Sequence, residues 1–138
     1  MNEYLNVVRN NYANFEGRAR RREFWMFTLI NALAMVALLI LLMIGLAVPG
    51  RTSTNPSINA LSIISIVLIV VYGLATVVPS LAVSVRRLHD AGYTGWLELL
   101  EFVGLRIVIL IFHVMDSQPG SNKWGPNPKG VSEIKPAF

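Results

Sequence analysis

Cysteine is absent from this 138-residue chain, and histidine occurs only twice. Neither a disulfide framework nor a thiolate metal site is therefore available, and no metal or cofactor is expected. Charge is scarce as well: 14% of residues are charged against 54% hydrophobic, with a mean hydropathy of +0.53. Soluble domains carry about 25% charged residues, so this chain lacks the polar surface to meet water on all sides. The scarcity is also local. No charge falls within the 25 residues of 24–48 or the 28 residues of 58–85, and Thr28 and Asn31 are the clearly polar side chains of the first interval.

A bilayer core is about 30 Å thick and a helix rises about 1.5 Å per residue, so about 20 apolar residues cross it. Both intervals are predicted to be transmembrane helices, with length to spare for tilt. Segment 96–115 has crossing length too, although it carries Glu98, Glu101, Arg106 and His113. It is read as a third transmembrane helix. A soluble bundle of three apolar helices is excluded because too few polar faces remain. A signal peptide does not fit either, since the first apolar run is roughly twice the length of a signal core.

The predicted fold is all-α: a small antiparallel bundle of three transmembrane helices in one membrane domain, preceded by an amphipathic helix. In residues 1–23, Tyr4, Leu5, Val8, Tyr12 and Phe15 recur at helical spacing between asparagines, which suits the membrane interface. Residues 49–57 form a turn-rich link, too short for a domain, so the first two helices should be an antiparallel hairpin. Pro79 is expected to kink the second. Residues 86–95 read as a polar connection with two glycines, and residues 116–138 as an irregular tail dense in turn formers.

The charge that exists is concentrated: eight of the twelve Lys and Arg lie at positions 9–22, 51 and 86–87. Arg18, Arg20, Arg21 and Arg22 precede the first helix, and Arg86 and Arg87 follow the second. Because Lys and Arg are enriched on the cytoplasmic side, one orientation explains both clusters, with the N-terminus and the 86–95 connection cytoplasmic. A full third crossing, favoured by its length, puts the tail outside; a re-entrant turn near Gly104 would return it inside. Arginines abutting Phe24 and Trp25 form an interfacial anchor for headgroup phosphates, which leaves nucleic acid without a role.

Ionisable groups in a membrane segment are costly unless paired or hydrated. On an ideal helix Glu98, Glu101, Arg106 and His113 share one arc, and Tyr72, Thr76, Ser80 and Ser84 form a hydroxyl-bearing seam on the second helix. By depth, Asn31, Thr76, Ser80, Glu98, Glu101 and Arg106 are candidates for one intramembrane polar cluster. Catalytic signals are weak: His89-Asp90 lacks the further ligands of a metal phosphohydrolase, the Glu98/Glu101 spacing comes with no substrate pocket, and the glycines match no phosphate loop.

Three separated motifs carry a resemblance: Asn14-Phe15-x-Gly-Arg-Ala-Arg-Arg-x-Glu-Phe-Trp25, then Arg86-Arg-Leu-His-Asp-x-Gly92 with Gly95-Trp96, then Pro119-Gly120 through Asn122 and Trp124-Gly-Pro-Asn-Pro128. In this order, over nearly the whole chain, they resemble the small bacterial inner-membrane proteins grouped as domain of unknown function 805. The resemblance implies a bacterial cytoplasmic-membrane protein of a few helices with no established activity. In this chain Glu98, Glu101 and Arg106 intrude in a third helix that the resemblance leads one to expect apolar.

The reading is a non-enzymatic membrane module. Its basic cytoplasmic face, built from Arg18, Arg20, Arg21, Arg22, Trp25, Arg86, Arg87, His89 and Asp90, would bind anionic lipid or a partner protein. The alternative is a homo-oligomer whose polar faces on helices two and three line a pathway for ions or a small solute; three helices alone enclose too little volume.

Overall fold

The computed structural model describes residues 2–47, 59–101 and 103–129; the predicted link at 49–57 and the last part of the tail, 130–138, lie outside the described residues. The elements are α1 (Asn2–Asn10), α2 (Arg21–Ala47), α3 (Ala60–Asp90), a 3-10 segment (Gly95–Glu101) and α4 (Arg106–Val114). Among the described residues there is no strand, only an isolated bridge between Asn122 and Gly125. The chain divides into two compact units, Thr28–Val77 and the pair Met1–Phe27 with Val78–Phe138, so both long helices contribute to each.

Two helices, α2 with 27 residues and α3 with 31, are long and apolar enough to cross a membrane. Their outward side chains are apolar, with Leu33, Met43 and Leu74 at 61%, 65% and 70% exposure. A sheath of this kind fits hydrocarbon, where an α-helix satisfies its own backbone. In the unit Thr28–Val77 the two helices form the expected antiparallel hairpin. Asn59 caps α3 by accepting from the Ser62 amide at 3.0 Å, while Ser62 Oγ accepts from the Asn59 amide at 3.0 Å. The same Asn59 reaches across, donating Nδ2–H to the Gly45 carbonyl at 2.7 Å. A Cβ on Gly45 would lie 2.8 Å from the Ser62 nitrogen, so here the backbones touch and only glycine fits.

The helix ends differ from those predicted. α2 starts at Arg21 rather than 24, and α3 runs to Asp90, five residues past the predicted 85. The charges that marked a polar connection are paired, Arg86 with Glu23 and Arg87 with Asp90, so the helix continues through them. It stops at Gly92, whose φ of +89° admits a left-handed turn; the Tyr93 amide donates to Leu88 O at 2.9 Å and the Gly92 amide to His89 O at 3.1 Å. α1 is also shorter than the apolar spacing implies. Asn10 bonds back to Asn6, Asn14 to Asn11, and Gly17 has φ +81°, so Tyr12 and Phe15 lie beyond the helix.

The predicted third transmembrane helix, 96–115, is not one continuous helix in the structure. Residues 95–101 are a 3-10 segment, Gly104 takes φ +85°, and α4 has nine residues. At about 1.5 Å per residue α4 covers less than half a bilayer core. The chain also comes back to the end it left. Gly95 packs so closely against Val85 and His89 that a Cβ would sit 2.6 Å from Val85 Cγ1, while the His113 ring near the end of α4 lies 4.3 Å from the Phe24 ring. Gly104, with its positive φ, lets the chain turn between the two short helical segments.

Candidate functional site

The unit formed by Met1–Phe27 and Val78–Phe138 has a small apolar core of Val7, Ala19, Phe24, Phe27 and Val83, with Tyr4 stacked on Phe27 at 5.5 Å. Around it lies a buried ionic latch. Asp90, fully buried at the end of α3, accepts from Arg18 Nε at 2.9 Å, Arg87 Nη1 at 2.5 Å and Ser117 Oγ at 2.5 Å. Arg18 then spends its remaining donors on the tail: Nη2 reaches Gln118 O at 2.6 Å and Nη1 reaches Gly120 O at 2.9 Å. Arg87 donates Nε to His113 O at 3.2 Å and Nη2 to Met115 O, which also accepts from Arg21 Nε at 2.7 Å.

Two backbone bonds extend the latch, from Ala19 N to Arg86 O at 3.0 Å and from Gln118 N to Asp90 O at 2.8 Å. Arg86 Nη1 donates to Glu23 at 2.8 Å; its Nε and Nη2 are buried without a partner among the described residues. Buried charges persist only when paired and hydrogen-bonded, and here the tail carbonyls satisfy guanidinium edges that Asp90 cannot reach. Asn122 adds a bond to His89 O at 2.9 Å.

The basic cluster is thereby divided. The side chains of Arg18, Arg86, Arg87 and Asp90 face inward, whereas Arg20 and Arg22 are exposed, Arg22 at 79% with Glu3 3.9 Å away. Arg21 is intermediate, and Trp25 stays 40% exposed beside them. His89 is buried and stacks on Trp124, centroids 4.4 Å apart and planes within 11°. Sequence reasoning misses the tail contacts of Gln118, Gly120, Asn122 and Trp124; the one signal for them is the ordered motif from Pro119 to Pro128.

The expected intramembrane residues stand as follows. Asn31 accepts from Tyr72 OH at 2.5 Å, and Thr76 bonds the carbonyls of Tyr72 and Gly73 in its own helix. Ser80 is half-buried in α3. Arg106 pairs with Glu101 at 3.3 Å, the arginine exposed. Glu98 is buried, its Oε2 3.7 Å from His113 Nε2, and neither atom has a hydrogen-bond partner among the described residues. Burial, then the neighbouring Glu101, pushes the Glu98 carboxyl up to about 7, and burial, then Arg87, pushes the His113 imidazole down to about 4. With the imidazole held neutral, the contact is not an ion pair.

An open groove of about 530 Å³ lies against α3 in the same unit as the latch. Phe15, Leu81, Val85, Trp96, Leu99 and Trp124 form its apolar lining, and His89, Thr94, Glu98 and Lys123 its polar lining. No cluster of His, Cys, Asp and Glu able to hold a metal occurs among the described residues.

Residues 12–126 match the family described as protein of unknown function (DUF805). The inner membrane protein YhaI of Escherichia coli K12 is 40% identical over 132 residues, covering 94% of this chain and 97% of its own. The inner membrane protein YhaH of the same strain is 36% identical over 133 residues, covering 94% and 98%. No solved structure matches.

Proposed function

This chain belongs to the DUF805 family, and on that premise we propose that it is a non-enzymatic membrane module whose exposed basic rim binds anionic lipid headgroups at the cytoplasmic surface. The observation that carries the proposal is the division of the arginines. The buried set holds the tail against the ends of α2 and α3, which leaves Arg20 and Arg22, with Arg9 on α1, as exposed cations beside the half-exposed Trp25. Cations next to an indole at the start of a spanning helix suit the headgroup layer, where each is worth about 1 kcal/mol against an anionic leaflet. The bias of Lys and Arg toward the cytoplasm supports that side.

Native mass spectrometry of the purified chain, offered equimolar phosphatidylglycerol and phosphatidylethanolamine, tests this. The wild type retains the anionic lipid preferentially, and the double variant R20Q/R22Q loses about tenfold of that preference while folding normally. D90N behaves differently, because it strands two buried guanidiniums at a cost of about 3–5 kcal/mol and lowers the yield of folded protein. Undiminished preference in folded R20Q/R22Q would overturn the proposal.

A further inference from the structure

We propose that the groove beside α3 is a binding site for one glycerophospholipid of the surrounding leaflet, its acyl chain lying along Leu81 and Val85 and its phosphate meeting Lys123. The proposal rests on the membrane reading above but is independent of the arginine rim.

Three observations carry it. First, Leu81, Val85 and His89 recur every four residues, so the groove runs along one face of a helix long enough to span a bilayer. Second, the opposite wall presents large apolar side chains to solvent, Trp96 at 77% exposure and Leu99 at 53%, while the Glu98 between them is buried. A volume of about 530 Å³ falls in the range of pockets that take one small organic molecule, so it suits a single chain rather than a protein segment. Third, the border is charged in a directed way. The Lys123 ammonium sits 4.2 Å from the centroid of Trp124, which is itself stacked on His89, so a cation is held over the groove's aromatic end. Lys123 has no ion-pair partner among the described residues, and the one carboxylate of the groove lining, Glu98, lies against His113 instead. An apolar trough ending in such a cation complements an amphiphile with a phosphate at the head of its chain.

Photolabelling tests the site. The full chain is reconstituted in nanodiscs containing a phosphatidylglycerol that carries a diazirine midway along one acyl chain, irradiated, digested and mapped. Peptides covering residues 81–99 should be labelled well above those covering 60–77, which report the general lipid annulus. L99W and V85F, which fill the groove, should bring residues 81–99 to the annular level, and melting midpoints confirm that at least one of them is folded. K123Q should weaken groove labelling by phosphatidylglycerol about fivefold and leave labelling by a diazirine diacylglycerol unchanged. R20Q/R22Q should leave groove labelling intact, which separates this site from the rim. Equal labelling of the two regions in the wild type, or groove labelling that survives in a folded filling variant, would overturn the inference.

Discussion

Arg18 and Arg20 are two residues apart and meet opposite surroundings, one side chain buried among Asp90 and tail carbonyls, the other facing out. Nothing local separates them, since the partners that bury Arg18 lie 72 to 107 residues further along. A dense arginine run is therefore legible as a cluster but not as a latch plus a rim. Glu98 is legible as a costly charge, and its surroundings define a measurable consequence. With its carboxyl near 7 in the folded chain and about 4.5 when unfolded, the folded state holds the proton more tightly. The stabilisation is full below about 4.5 and is lost as pH rises through about 7. His113 works in the opposite sense, losing stability as pH falls from 6.5 through about 4. Comparing melting in detergent for the wild type and Glu98→Gln isolates the first contribution: the wild type should lose up to roughly 3 kcal/mol relative to the variant between about pH 4.5 and 8. Parallel curves for the two proteins would mean that Glu98 does not titrate in this way.

At the scale of elements, the absence of charge locates α2 and α3, while their ends escape because Glu23, Arg86, Arg87 and Asp90 pair with one another and stay helical. Segment 95–114 shows the converse. The length of the predicted span 96–115 satisfies the crossing criterion, but length cannot reveal that Gly104 turns the chain and that His113 comes to rest beside Phe24 and Glu98. The hairpin of α2 and α3 depends on one close approach, where Gly45 meets the Ser62 backbone. Gly45→Leu places a side chain against peptide atoms that cannot rotate away, so the helices must part and Asn59 must release the Gly45 carbonyl. A destabilisation of about 1–3 kcal/mol is expected, as for other overpacked contacts, read as a lower melting midpoint in detergent. Leu74→Ala is the control, because truncating a 70% exposed side chain of the same hairpin should leave the midpoint nearly unchanged.

For the molecule as a whole, the latch couples the side of the tail to the side of the arginines. Arg18, Arg21 and Arg87 bind carbonyls from Met115 to Gly120, and these arginines stand at the start of α2 and the end of α3. A tail that crossed to the opposite face would leave Arg18 and Arg87 buried with many of their donors empty, at a cost of several kcal/mol that no other contact offsets. The expected outcome is that the tail shares one compartment with the arginine clusters, which their bias predicts to be the cytoplasm. Fusions of green fluorescent protein and alkaline phosphatase to the last residue read this directly: fluorescence without phosphatase activity is expected. Active phosphatase at that position would require the short helical segments at 95–101 and 106–114 to open into a crossing and the Arg18–Asp90 latch to break. The double variant R18Q/R87Q is the informative second measurement, because removing the latch should release the tail to protease on the cytoplasmic face without inverting the fusion's compartment.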